Sequence, residues 1–327
     1  MQGFTRPKLG MITCPTPFHE LKNLRRTLSC RPRLFIKRDD LTEIGLGGNK
    51  NRKLDYVMYE AVQQKADVIV TWAGVQSNHC RQTLAYARTL GMDCHLVLNG
   101  TGDEPVQGNR FIFDIFGAHL HFEPDEDRCP LVCEQLMDQL RAEGHNPFMV
   151  PIGASIPLGS LGYIDSTREI AEQAAEMNIH PSHIFVASGS AGTQAGVEVG
   201  QRLYLPGCKV HGIAVSRQRS EQTAKVADMC NQIASFIDIP DQFSPEDILV
   251  HDEYFGGQYA VPTQAGDDAI RLVGRTEAIL LDPVYSGKAM SALLDLLQKG
   301  ALDDAEAVVF IHTGGSPAIY NFTEWFR

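Results

Sequence analysis

Ile184-Phe185-Val186-Ala187-Ser188-Gly189-Ser190-Ala191-Gly192-Thr193 is the stretch on which the reading of this chain turns. Residues 184–187 are apolar and β-prone, and residues 193–203 carry a helical pattern, so the small residues between them form a strand-to-helix turn. Glycines at 189 and 192 let the backbone wrap closely around a ligand. Amides at the start of the helix point at an anion, and the Ser188, Ser190 and Thr193 hydroxyls add donors. The segment reads as a phosphate cup, against the plainer reading of a tight turn that needs small residues. It lacks the GxGxxG spacing of a dinucleotide site and the lysine of a Walker loop. Gly287-Lys288 fails the Walker pattern as well, because Ala289 follows.

The same alternation runs outward in both directions. Residues 34–37, 68–71, 95–98, 148–151, 184–187, 210–215 and 307–311 read as buried strands, and 52–64, 79–90, 160–177, 193–203, 265–275 and 288–298 as helices. This predicts an α/β fold of doubly wound, mostly parallel sheets. In such sheets ligands bind beyond the carboxyl ends of the strands. Polar, glycine-rich segments lie there: GLGGNK (45–50), AGVQSNH (73–79), PIGAS (151–155), ASGSAGT (187–193), DPVYSGK (282–288) and HTGGS (312–316).

The chain has 327 residues, enough for two domains, with 43% hydrophobic and 21% charged residues. A net charge of −11 argues against nucleic acid or an anionic membrane surface as partner, while leaving room for a local basic pocket. No apolar run approaches the ~20 residues of a membrane-spanning helix. Met1 to Gly10 has no apolar signal segment, so a cytoplasmic location is expected. Eight scattered cysteines read as free, mostly buried thiols. Cys129 and Cys133 lie one helical turn apart, but no second ligand pair follows at zinc spacing and no metal is expected.

Two further segments bear chemistry. In GLGGNKNRKL (45–54), Lys50 stands at a helix entrance, framed by Gly47, Gly48 and Asn49, where a lowered pKa would make its amine nucleophilic. Lys53, Arg52 and Lys37 read as surface or ion-pair residues. In QSNHCRQT (76–83), Ser77, Asn78 and His79 form an N-cap region whose side chains face a ligand or merely cap the helix. A GxSxG elbow is missing, which excludes the usual Ser-His hydrolase. A phosphate cup and a lone candidate Schiff-base lysine in an α/β fold together point to pyridoxal 5′-phosphate.

IKRDDLTEIGLGGNKNRKLDY, AGVQSNHCRQT, ASGSAGT, LLDPVYSGKAM and FIHTGG, in that order, resemble the D-cysteine desulfhydrase and 1-aminocyclopropane-1-carboxylate (ACC) deaminase family of fold type II pyridoxal-phosphate enzymes. The resemblance spans about residues 6 to 320. It implies two domains, a larger one (1–53 plus 161–327) and a smaller one (54–160) that contributes Ser77 and Asn78, and a homodimer. It implies Lys50 as the Schiff-base lysine, Asn78 on the cofactor's ring hydroxyl and Ser77 near the substrate carboxylate or acting as nucleophile or base. Gly189, Ser190, Ala191, Gly192 and Thr193 match the phosphate loop, and Tyr259 and Tyr285 two active-site tyrosines. ACC deaminases resemble DPVYEGK, with Glu where this chain has Ser286, and carry Leu where it has Thr313. Hydroxyls at both positions resemble D-cysteine desulfhydrase and its relative L-cysteate sulfo-lyase.

A hydroxyl rather than a carboxylate beside the pyridine nitrogen leaves the ring largely neutral. That suits β-elimination, in which the leaving group drains the Cα carbanion, better than ring opening. The expected reaction is therefore β-elimination from a small amino acid, D-cysteine first, L-cysteate second and ACC deamination third. Lys50 is the default base, with Tyr285 or Ser77 as alternatives. A non-catalytic cofactor-binding protein is the remote alternative. Arg81, His79 and Arg217 are the cations to check near the leaving group. Trp72 narrows the pocket or belongs to the core, and Ile156 and Ala260 raise the same question.

Overall fold

The computed structural model describes residues 6–327; the first five residues of the Met1–Gly10 stretch, and of the expected larger domain, lie outside them. The strands are β1 (Phe18–Glu20), β2 (Arg33–Arg38), β3 (Val68–Gly74), β4 (Asp93–Asn99), β5 (His119–Glu123), β6 (Pro147–Met149), β7 (Pro181–Ser188), β8 (Lys209–Ala214), β9 (Val250–His251) and β10 (Ala307–His312). The helices are α1 (Lys22–Leu28), α2 (Asn49–Gln63), α3 (Asn78–Thr89), α4 (Gly108–Ile115), α5 (Cys129–Ala142), α6 (Pro157–Glu176), α7 (Gly192–Tyr204), α8 (Arg219–Phe236), α9 (Gln264–Glu277) and α10 (Ser286–Gln298).

Two sheets result, as the alternation predicts. One has the order β1-β2-β10-β7-β8-β9, parallel except for β1 against β2; the other is the all-parallel β5-β4-β3-β6. All residues of β10 are buried, which a strand covered on both faces requires and which explains its unbroken apolar run. Phe185, Phe310, Ile213 and Met290 fill one side of the larger sheet, and Ile184, Val309, Tyr163 and Val197 the other. Proline near the first turn of α5 and α6, and Ser77 and Thr263 capping α3 and α9, set where those helices begin. All eight cysteines are free, six of them buried. Among the described residues, no helix is long and apolar enough to cross a membrane.

The seven expected strands are all present. The helix α2 begins at Asn49 rather than residue 52, which places Lys50 in its first turn. Strands β1, β5 and β9 lie outside the sequence expectation. β1 and β9 span three and two residues, and β5 (HLHFE) is an edge strand mostly half-buried. The helices α1, α4, α5 and α8 lie outside that expectation as well; the buried side of α8 includes Gln222, Thr223 and Ala227, so no apolar stripe is written along it.

Histidines cross the larger sheet in a hydrogen-bonded row. His183 Nδ1 meets His211 Nε2 at 2.8 Å, and His211 Nδ1 meets His251 Nε2 at 3.0 Å. Phe185 stacks on the His211 ring at 4.3 Å. Burial, then the neighbouring His251 and His183, lower the His211 pKa to about 3. Burial, then Lys50 and Lys53, do the same to His79. Unfolded histidine binds its proton near 6.5, so acid favours the unfolded chain across the window from 6.5 down to about 3. Each such histidine removes about 1.4 kcal/mol per pH unit within that window. The melting temperature is therefore expected to fall between pH 7 and pH 5, and less steeply in His211→Gln. Equal slopes in the two proteins would show that His211 is not held neutral.

Candidate active site

Both sheets reverse their strand order at one point, and the two reversals supply the site. In the larger sheet the chain runs from β7 out to β8 and β9, then returns to β10 on the other side of β7. In the smaller, it runs from β3 out to β4 and β5 and returns to β6 on the other side of β3. Each reversal opens a crevice at the carboxyl ends of its strands. Segments 188–193 and 313–315 border the first, and 75–78 and 150–155 the second. Ser155 and Ser190, one from each, join hydroxyl to hydroxyl at 2.7 Å.

Lys50 is held by its neighbours' backbones. Gly47 and Gly48 have φ of +68° and +127°, and a Cβ on Gly47 would lie 2.0 Å from the Asp40 carbonyl oxygen. Gly314, at φ +88°, packs so closely that its Cβ would be 2.6 Å from Gly48 Cα. Asn49 N–H donates to the Thr313 carbonyl at 2.9 Å, and Asn49 Nδ2 to Thr193 Oγ1 at 2.9 Å. The turn bearing Lys50 is thus tied to the exit of β10 and to the start of α7. Below it, Arg52 bridges Asp39 (2.9 Å) and Glu169 (2.7 Å), and Lys37 reaches Glu169 at 2.7 Å. Arg52 and Lys37 are ion-paired as expected, though in the interior.

The Lys50 amine lies 5.3 Å from the centre of the Tyr285 ring. Burial lowers its pKa, Asp282 opposes and Arg81 assists, leaving it at about 8. Tyr285 hydrogen-bonds Tyr259, which sits half-exposed on the loop before α9. Burial, then Tyr259, keep the Tyr285 phenol protonated well above its ordinary range. Asp282 is a buried site residue that the sequence reading passed over. Its carboxylate accepts from the amides of Val284, Tyr285 and Ser286 and from Ser286 Oγ at 2.6 Å. The Ser286 hydroxyl is thereby spent on Asp282, whereas the buried Thr313 hydroxyl has no protein partner among the described residues.

The cup at 188–193 has the expected form with a different backbone device. Ala191, not a glycine, takes the positive φ, +72°. Gly192 is needed for space, since its Cβ would lie 2.9 Å from both Lys53 Nζ and Ser155 Oγ. Lys53 corrects the sequence expectation: it is neither a surface nor an ion-pair residue. It is fully buried, donates among the described residues only to Gly153 O (3.2 Å) and Ser155 Oγ (3.0 Å), and has its pKa pushed well down by burial and then by Lys50. A buried amine without an anion, set against a ring of helix-start amides, fits a phosphate. Ser188 and Thr193 hydroxyls accept from Gln222 and Asn49, which leaves their own protons to donate.

Ser77 caps α3 by accepting Cys80 N–H at 3.1 Å, and Asn78 follows it, buried. The three candidate leaving-group cations are otherwise engaged. Arg81 is fully buried among neutral acceptors, His79 is neutral between Thr71 and Thr83, and Arg217 pairs with Glu221 and Gly189 O. Trp72 packs with the core cluster of Val68, Val70, Cys129 and Cys133, so it belongs to the core rather than to the pocket.

Fold and site define a class, and comparison agrees: residues 11–314 match the family described as pyridoxal-phosphate dependent enzyme. The chain belongs to that family, and its cofactor is pyridoxal 5′-phosphate. Among particular relatives, it is 40% identical to a D-cysteine desulfhydrase of Yersinia pestis (strain Pestoides F), over 97% of this chain and 96% of the relative. A D-cysteine desulfhydrase of Klebsiella pneumoniae (strain 342) is 38% identical over 98% of each. A crystal structure described as an ACC deaminase homologue superposes with a TM-score of 0.89 at 35% identity, covering 98% of this chain and 95% of that one.

Three outcomes follow from this packing. Gly91 has φ +75° with open space around it, so Gly91→Ala should cost about 1 kcal/mol from backbone strain alone. Gly314→Ala adds a backbone collision and should cost ~3 kcal/mol or more in urea unfolding, with loss of bound cofactor. Lys53→Met should weaken cofactor binding at least about tenfold in a fluorescence titration, by removing a charged hydrogen bond to the phosphate. Unchanged affinity would place the phosphate elsewhere.

Proposed function

We propose that the protein catalyses β-elimination from D-cysteine, which with water gives pyruvate, ammonia and sulfide. The observation that carries this reading is the Lys50 amine, brought to about 8 beside the cup, in a chain 40% identical over nearly its whole length to D-cysteine desulfhydrases. In this reading Gly189, Ser190, Ala191, Gly192, Thr193 and Lys53 hold the phosphate, Asn78 and Thr313 address the ring, and Lys50 holds the reactive carbon. Bound there, the cofactor supplies an electron sink for the pair left when the Cα proton departs.

The protein's own groups divide the remaining work. Lys50 Nζ, near neutrality in its proton affinity, is the group suited to take the Cα proton. The Tyr285 phenol stays protonated and acts as a donor, not a base, toward the departing sulfur. Ser77 and the free amides at the start of α3 receive the substrate carboxylate, as a helix N-terminus favours an anion. We assign residues 1–53 plus 161–327 to the larger domain and 54–160 to the smaller. The strands of the four-stranded sheet fall wholly within the latter, and its Ser77 and Asn78 would close over substrate. A cytoplasmic homodimer completes the reading; Phe111 and Ile115, exposed on α4, support an interface there.

Purified protein incubated separately with D-cysteine, L-cysteine, L-cysteate and ACC distinguishes the possible reactions. Sulfide and pyruvate from D-cysteine, abolished in Lys50→Ala, are expected. Sulfite from L-cysteate, or 2-oxobutyrate from ACC, as the main product would overturn the substrate assignment. Cofactor binding with no product from any of the four would make the protein a non-catalytic binder.

A further inference from the structure

Arg81 is a guanidinium with no solvent contact and no carboxylate within ion-pair distance among the described residues. Every hydrogen bond it makes goes to a neutral oxygen: Nε to Gly45 O (2.7 Å), Nη2 to Gly47 O (2.9 Å), and Nη1 to both Asn78 Oδ1 (2.7 Å) and Asn109 Oδ1 (2.6 Å). Burial lowers its pKa only to about 10, with Asp282 opposing, so the group stays charged at neutral pH. An isolated buried charge is expensive, and the interior tolerates it where an anion completes the site.

The contact with Asn78 has a further consequence. A guanidinium can only donate, so the Asn78 atom facing it must be the amide oxygen. Asn109 Nδ2 donates to that same oxygen at 2.9 Å. Two donors thus lock the Asn78 amide, and its Nδ2 is left without a protein partner among the described residues. Turning the amide over would set donors against donors. Asn78 therefore presents an N–H to whatever binds beside it, and its ligand there must be an acceptor.

We propose that Arg81 is a positioning residue that fixes Asn78 as a donor and supplies the buried positive charge that keeps the cofactor's ring oxygen anionic. It acts through Asn78 rather than by touching the cofactor. Its grip on Gly45 and Gly47 holds the Lys50 turn to the start of α3, so the attachment point and the ring donor move as one piece. The inference rests on the cofactor site described above. It predicts that charge at position 81 changes the cofactor's electronic state, which a purely structural role would not do.

The test uses the full chain loaded with pyridoxal 5′-phosphate. Its readouts are the affinity for added cofactor and, at fixed pH, the ratio of the visible to the near-ultraviolet absorption band. Arg81→Gln should weaken binding about tenfold or more, the size expected for one charge-assisted hydrogen bond, and lower the band ratio several-fold. In an Asn78→Ala background the same change should shift the band ratio clearly less, because the path through the amide is already cut and only the longer-range field of the charge remains. Should Arg81→Gln fail to fold, Asn109→Asp gives Arg81 a carboxylate partner at nearly the same volume and removes the Asn109 donor to Asn78 Oδ1, and both changes should lower the ratio. Unchanged spectra in Arg81→Gln or Asn109→Asp, or full additivity with Asn78→Ala, would overturn the proposal. Failure of the unaltered protein to bind the cofactor would instead overturn the cofactor site itself.

Discussion

The Arg52 guanidinium, held between Asp39 and Glu169 with Lys37 on the far side, is the interaction on which the site's frame depends. It joins the end of β2, the first turns of α2 and the middle of α6 in one buried network. Burial alone would raise the Glu169 carboxyl; Arg52 and then Lys37 override it and hold the group at about 2. Breaking such a network by removing one partner strands the others, which is the costly case for buried charge. Because Lys50 lies two residues before Arg52 on the same helix, the frame fixes the direction in which Lys50 leaves the backbone.

Above that frame the balance of charge changes sign. Arg52 and Lys37 are matched by carboxylates, but Lys53 and Arg81 are buried with only neutral oxygens around them. The region between the two sheets is therefore prepared for an anion, with the Lys53 amine at the cup and the Arg81 guanidinium behind Asn78. The same positive surroundings, added to burial, explain why His79 is neutral and why the Lys50 amine is drawn down. Asp282 moderates this field from the start of α10, where three backbone amides and a hydroxyl keep its carboxylate in place.

Much of this was legible along the chain. Buried parallel strands announce themselves as apolar runs, and the turns after them as small and polar residues, so both sheets and most site segments could be read. Lys50 was legible through its glycine frame, and the cup through its position between strand and helix. Other parts were hidden for identifiable reasons. Lys53 looks like any helical lysine until α2 is seen to bury that face against Gly192 and Ser155. Asp282 was overlooked beside the more distinctive Tyr285 and Ser286. Trp72 drew attention by its size, although strand alternation turns it away from the Thr71 side of β3 and onto the core with Cys129 and Cys133.

By itself, then, the sequence determined the α/β class, most of the strands and helices in their order, the loops that bear the chemistry and the family they resemble. These follow from local periodicity and from short motifs, each contained in a few consecutive residues. Only the tertiary structure decided which charged groups are paired and which are left bare. Pairing depends on contacts between residues far apart in the chain, such as Arg52 with Glu169, Lys53 with Gly153, and Arg81 with Gly45. The strength of each charge depends on how completely those contacts exclude water.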